Sequence, residues 1–494
     1  MNITTKGITL QDVNTPFNFI KDFEFDESLP DHFANLKDAL YVSADIIDEK
    51  INYDIEKVVI DYRINFKVYY NDDSGEKLCV HTFIKEITHK TDIKKNDGML
   101  FLLKSYVTPP TLRVLNERKL FIKAHITGKL TMIEGKEVST VSAEQDNCFT
   151  KGTSIITSKL SEIFNDRFSI DDEITLGDGY DPISNIIDHS AFISYHETEL
   201  VSSYLTIKGD IHVSFTYLSE TNDGRIIHAE RQIPFEKNIP IDYQADEDEH
   251  FCNIKVIVND AVPAIDQYGE YRSIILKFDL SVSVFALSNV HEAIISDIFA
   301  ENKEEKLDKQ EIEYSQIINQ NDKQFIVDGS INTGEIVFSR TISSDAAVYI
   351  TEQNGKSIKG EIHFDILGEG NDGISHVSAT KEFEHEFEQI PIFFEIEKQE
   401  FNVNISGGND LSYKIKFKVS ALASFKSIAD FIRTVDFSDA QKMDCNMIIY
   451  YPSKDEAIWD IAKRYHVSPD LLASSNPSLN NEGSNEKNIV LIKF

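Results

Sequence analysis

Ile207-Lys208-Gly209-Asp210-Ile211-His212-Val213-Ser214-Phe215-Thr216-Tyr217 alternates apolar and polar residues, and this alternation decides the fold. A period of two puts one set of side chains on each face of an extended strand. Ile358-Lys359-Gly360-Glu361-Ile362-His363 repeats the opening of that stretch. Asn-Asp-Gly follows in both places, at Asn222 to Gly224 and at Asn371 to Gly373, which is the chemistry of a tight turn. Each copy then reaches Ile-Pro-Ile, at Ile239 to Ile241 and at Ile390 to Ile392. The steps from Gly209 to Ile241 and from Gly360 to Ile392 are equal.

A third, more diverged copy stands earlier, from Asp61 to Tyr70, with the turn Asn71-Asp72-Asp73-Ser74-Gly75 after it and Tyr62 in the glycine's place. Each copy closes on a second alternating strand: Leu120 to Met132, Ile274 to Leu287, and Tyr413 to Phe425. In the last, Ile415, Phe417, Val419 and Ala421 share one face and Lys414, Lys416 and Lys418 the other, as in an antiparallel strand with one wet side. The expected fold is mainly β. An N-terminal segment (1–26) precedes three repeated antiparallel β-rich domains with short helices, at 27–150, 151–300 and 315–435. Val290 to Phe299 reads as one such helix. Glu301 to Glu313 is charged and poor in core residues, so residues 301–314 read as a solvated linker or exposed helix.

Residues 447–494 change character. Ile448 to Tyr451 reads as a short strand, and Ser453-Lys454-Asp455-Glu456 as a capping box. Ile458, Trp459, Ile461, Ala462 and Tyr465 then fall on one helical stripe. Ser468-Pro469 opens a second helix through Leu472, which stops before Asn476-Pro477. Ile489 to Ile492 is a last strand, so the module reads βααβ.

Composition bounds the function. The 494 residues suit several domains, and 41% hydrophobic residues can build real cores. With 83 acidic against 49 basic residues the formal net charge is −34, which repels phosphate backbones and anionic lipid. Nucleic acid is therefore not an expected partner. The four cysteines form no CxxC pair and indicate neither a zinc site nor a disulfide framework. The start MNITTKGITL lacks the basic and apolar regions of a signal peptide. No apolar run reaches the roughly 18 residues of a spanning helix, so membrane insertion is not expected.

Candidate chemistry is sparse. Gly368-Glu369-Gly370-Asn371-Asp372-Gly373 satisfies GxGxxG, but a phosphate cradle needs a helix after the loop, and a further strand pattern follows here. The acidic runs Asp171-Asp172-Glu173 with Asp178 and Asp181, and Asp246 to Glu249, lack EF-hand spacing and read as solvated faces. The 14 histidines contain no HExxH, and no GxSxG occurs. No catalytic residue, metal ligand or cofactor is assigned, and the chain is expected not to be an enzyme. Trp459, the sole tryptophan, reads either as core or as a partner anchor.

The string from Ile458 to Tyr465, with Leu472 and Asn476-Pro477, resembles the LysM domain, whose members often bind N-acetylglucosamine polymers. The usual Gly-Asp-Thr-Leu start corresponds to Asp455-Glu456-Ala457-Ile458, so glycine and hydroxyl are missing, and Glu486-Lys487-Asn488 replaces the usual Pro-Gly. These departures favour a protein partner. Ile458, Trp459, Lys463, Tyr465, Leu472 and Asn476 are the candidate contacts for it, with Asp455 and Asn476 kept as candidates for a glycan. Ile207 to Tyr217, Ile233-Pro234-Phe235 and Val290 to Asp297 resemble the SPOCS domain of the SipL-type spore-coat morphogenetic proteins. That resemblance implies a mother-cell protein that moves to the forespore surface and docks through its LysM on a SpoIVA-like coat ATPase, among other coat proteins. A self-assembling layer or appendage subunit and a peptidoglycan- or cortex-binding protein are the alternatives.

Overall fold

The computed structural model describes every residue except 1–2, 55–56, 97, 143–147, 178, 202, 222–223, 244–248, 371–372, 408, 442–444, 454–455, 477–488 and 494, and the side chains of 321–322. The alternating stretches form strands throughout. The first eight are β1 (Thr4–Val13), β2 (Phe17–Ser28), β3 (Leu36–Asp54), β4 (Lys57–Asp72), β5 (Leu78–Lys94), β6 (Met99–Val107), β7 (Thr111–Asn116) and β8 (Lys119–Ser142). The meander β3-β4-β5 is one sheet. In the other, β8 lies at the centre and pairs with β1, β2, β6 and β7.

The next six are β9 (Cys148–Thr175), β10 (Ile183–Val201), β11 (Tyr204–Ser219), β12 (Ile226–Pro240), β13 (Glu249–Ala264) and β14 (Ser273–Ala300). The six after those are β15 (Lys303–Asn332), β16 (Phe338–Asn354), β17 (Ser357–Gly370), β18 (Gly373–Glu386), β19 (Ile390–Gly407) and β20 (Asp410–Asp439). Both sets follow one strand order. The meanders are β10-β11-β12 and β16-β17-β18, and β14 and β20 sit between β9 and β13 and between β15 and β19. In each of the three units the middle meander strand faces the long central strand. Ile207, Ile211, Val213 and Phe215 pack on Ile274, Leu276, Phe278 and Leu280, and Ile358, Ile362 and Phe364 on Ile415, Phe417 and Val419. Burying each such side chain is worth about 1.5–3 kcal/mol.

The first strand of each meander carries register shifts at matched places: Leu36/Asp38 and Ala39/Tyr41, Ile183/Asn185 and Ile186/Asp188, Phe338/Arg340 and Thr341/Ser343. Such bulges sharpen strand twist. Gly209 and Gly360 also occupy like positions, each opposite a phenylalanine, Phe235 and Phe383. Tyr62 stands there in the first unit, fills the space itself and bonds the Ser105 hydroxyl at 2.9 Å.

Six expectations need correction. Val290 to Phe299 is strand, the end of β14, not helix; the register shift at Ile295/Asp297 breaks its alternation and imitates a helical spacing. The short helices expected within the β-rich domains are absent from the described residues there. Residues 301–314 are not a linker, because Lys303 onward is β15, paired with β20 from Lys303↔Asp439. The N-terminal segment 1–26 is not separate either, since β1 and β2 pair along β8. The two Ile-Pro-Ile strings are not equivalent: Ile239 and Pro240 end β12, whereas Ile390 to Ile392 begin β19. The expected boundaries at 26/27, 150/151, 314/315 and 435 all fall inside strands.

The three units share a common axis. β8, β14 and β20 each leave their own core and enter clusters built by all three. Ile133, Leu287 and Leu422 meet with Leu102, Phe251 and Phe393 in one cluster. Val138, Ile294 and Phe431 meet in the next, and Val141, Ile298 and Ile432 in a third. Three antiparallel ribbons thus run together, with Thr4↔Ser142, Cys148↔Ala300 and Lys303↔Asp439 at the same end, here called the foot. The meanders close the opposite end through Tyr69, Leu78, Ile226, Ile342, Leu367 and Ile374.

Candidate functional site

At the foot, the chain passes into a small module: β21 (Met447–Tyr450), α1 (Ile458–Tyr465), α2 (Pro469–Ser475) and β22 (Val490–Lys493), with β21 and β22 paired antiparallel. Ser468 caps α2 by accepting from the Leu471 amide, with Pro469 in the first turn. The capping box at Ser453 is only half realised. Glu456 accepts from the Ser453 amide at 2.9 Å, but α1 starts after Ala457, which caps without a side chain. The Glu456 carboxyl is held below the usual range: burial alone would raise it, and the Ser453 amide, Tyr450 and Arg464 outweigh that.

The module is docked on the ribbons by α1. Trp459 Nε1 donates to Asp297 Oδ2 at 2.9 Å, and Lys463 Nζ donates to Asp297 Oδ1 at 2.6 Å. Lys463 also pairs with Glu305 at 3.3 Å. The Trp459 ring meets Phe299 edge-on at 5.0 Å. The Asn302 amide, in the β14–β15 turn, donates to the His466 carbonyl at 3.2 Å. Burial works to raise the Asp297 pKa, but the hydrogen bonds from Lys463 and Trp459 and the Lys463 charge hold it below the ordinary carboxylate value.

These contacts revise the candidate list. Trp459 and Lys463 serve an intramolecular contact. Leu472, 2% exposed, is core, and Asn476, 5% exposed, bonds the backbone of Leu472 and Leu491. Neither is open to a partner, because each is enclosed by the module itself. For Asn476 this removes the glycan contact as well. Ile458 and Tyr465 are half-buried on the same core. Asp455 lies outside the described residues, as do Asn222, Asp223, Asn371, Asp372, Asp178, residues 246–248 and residues 486–488. Beside charged residues such as Asp460, Arg464 and Asp470, the module exposes the apolar side chains of Met447, Ile449 (57% exposed), Tyr451 (68%), Leu471 and Ile489. Asp297, Phe299, Asn302 and Glu305 were not legible as contacts, since no spacing in one chain links the end of β14 and the start of β15 to a helix so far downstream.

The interior offers a second polar region. Between the meander cluster and the first shared cluster lies a cavity of about 770 Å³ to which all three units contribute. Contacts around it run in a cycle: Tyr106 stacks on Tyr349 at 4.9 Å, Lys255 pairs with Glu49 at 2.6 Å, and His196 faces Glu397 at 3.3 Å. Lys67 pairs with Asp188 at 2.7 Å and Lys104 with Glu395 at 3.0 Å. Burial, with Asp345 adding to it, pushes Asp45 up to about 6, and burial pushes His189 down to about 4. Breaking a buried pair of this kind by removing one partner is costly, because the other charge is left uncompensated. The GxGxxG string is a hairpin, with Gly370 paired to Gly373 and a strand after it. Among the described residues no three acidic, histidine or cysteine side chains converge as a metal site, and no helix is long and apolar enough to cross a membrane.

Residues 182–262 match the family model described as SipL, SPOCS domain. The SPOCS match spans the second meander and most of β13. It ties the chain to sporulation-related coat proteins. No curated protein and no solved structure matches the chain.

Proposed function

We propose that the chain is a non-enzymatic morphogenetic scaffold of the spore coat or exosporium, made of three SPOCS-like units and a LysM-like C-terminal module. The observation that carries this reading is the SPOCS match, which falls in the second of three units, each with a three-stranded meander beside a sheet centred on one long strand. The βααβ order of residues 447–494 supports the LysM reading. In this account the protein is made in the mother-cell cytoplasm and docks on the coat-basement ATPase at the forespore surface. The contact uses Ile449 on the outward side of β21 and Tyr451 just after that strand, because α1 is committed to Asp297. Exposed apolar side chains of this kind serve as interface anchors.

The test is capture of the purified ATPase by the full-length chain. Replacing Ile449 and Tyr451 together by Asp should abolish capture while the melting temperature holds. Undiminished capture by that variant would remove the docking assignment. Sedimentation with purified peptidoglycan separates the cell-wall alternative, and fibres or sheets in negative stain would favour the self-assembling one.

A further inference from the structure

A groove of about 830 Å³ lies between the first and third units. Phe19 and Ile20 of β2, Val348 and Ile350 of β16, and Phe394 and Ile396 of β19 form its apolar walls, and Lys104, Lys129 and Glu352 also line it. Phe19 lies flat over Gly128, where any Cβ would meet its ring at 2.1 Å, so the shape of that wall depends on the glycine. Next to Gly128, on β8, stands Lys129.

Lys129 is unlike the other interior lysines. Lys67, Lys104, Lys255 and Lys398 each reach a carboxylate within 3.0 Å. Lys129 donates to neutral groups, the Gln353 side-chain carbonyl and the Pro391 backbone carbonyl at 3.4 Å, and lies 5.0 Å from the centre of the Phe394 ring. Among the described residues no carboxylate comes within ion-pair distance of it. Burial alone draws its ammonium down to about 8, with no acid to raise it. The chain has 83 acidic residues, so leaving this cation without one marks the groove out. Of the other charged side chains that line the groove, Lys104 is paired with Glu395 and Glu352 is exposed, so Lys129 is the charge left without a counter-ion. A largely apolar pocket with a few polar groups has the form of a small-molecule site.

We propose that this groove binds a straight-chain fatty acid, its carboxylate on Lys129 and its chain along the Phe19, Ile20 and Phe394 walls. The carboxylate supplies the charge that Lys129 lacks, and the chain covers the apolar wall. Recognition therefore requires both parts of the ligand.

Calorimetry with the full-length chain tests this, using dodecanoate below its micelle concentration, dodecanol and acetate. Dodecanoate should bind at least tenfold more tightly than dodecanol, and acetate should not bind. Raising the pH from 7 to 10 should weaken dodecanoate and leave dodecanol unchanged, because the Lys129 ammonium is lost. Lys129→Met should reduce dodecanoate to the level of dodecanol. Ile20 is 65% exposed, so Ile20→Glu tests the same site without disturbing the core, and it should weaken dodecanoate by charge repulsion. Equal binding of acid and alcohol, no binding of either, or full dodecanoate affinity in both variants would each overturn the proposal.

Discussion

Gly360 shows how one atom sets a sheet. A Cβ there would meet the Phe383 ring at 2.3 Å and the Tyr349 carbonyl at 2.5 Å. The glycine is needed for close approach, not for an unusual backbone angle. Gly360→Ala should therefore destabilise the chain by about 1–3 kcal/mol through overpacking. Gly152→Ala is the control, because its nearest neighbour is the Ile294 carbonyl at 3.9 Å and it should change little. Denaturant midpoints measure both, and equal effects would refute the packing account. The glycine was legible in the sequence as a repeated residue. Its cause was not, because Phe383 is a cross-strand partner that no local pattern identifies.

At the scale of elements, alternation made the strands legible wherever it was unbroken, as in β11, β17 and the first half of β20. It failed at β14 because a bulge shifts the period, and at β15 because charged side chains occupy both faces from Lys303 to Asp308 while ladder bonds to β20 hold the strand. The docking of α1 was invisible for a different reason: its partners lie at the end of β14 and the start of β15, far upstream in the chain. Asp297 is the centre of that contact, and its lowered pKa fixes the pH dependence. An acid with a folded value below its unfolded value of about 3.9 contributes fully above that pH and loses the contribution as pH falls through the folded value. Since Trp459 is the only tryptophan, its fluorescence reports the contact directly. The emission should hold from pH 7 to about 4 and shift below it. Asp297→Ala should give the shifted spectrum already at pH 7, at a cost of about 1.5–3 kcal/mol for a charge-assisted pair of bonds. An unshifted spectrum in that variant would show that the acid is not what holds α1.

For the whole molecule, the cavity on the shared axis is the place where the three units trade charge. Asp45 lines it with a pKa raised to about 6, first by burial and then by Asp345. A raised acid binds its proton more tightly when folded, so Asp45 opposes folding progressively as pH rises from about 4 and fully above 6. Asp45→Asn should raise the melting temperature at pH 7 and leave it nearly unchanged at pH 4. An equal gain at both pH values would mean that charge is not the cause. This axis was not legible at all. Three copies of a domain can be strung out or gathered, and only contacts such as Phe393 on Phe251 at 5.5 Å decide between them.

The ribbons at the foot also have a mechanical meaning. From Leu422 to Asp439 β20 extends about 55–60 Å at some 3.3 Å per residue, and the C-terminal module follows its far end. A pull on that module directed away from the meanders runs along the strand, across its ladder bonds to β15. The bonds are then loaded together in shear, not opened one after another from an end. An anchored module can therefore carry tension to the body of the protein without unzipping it, as a tether in a layer that swells and shrinks would have to do.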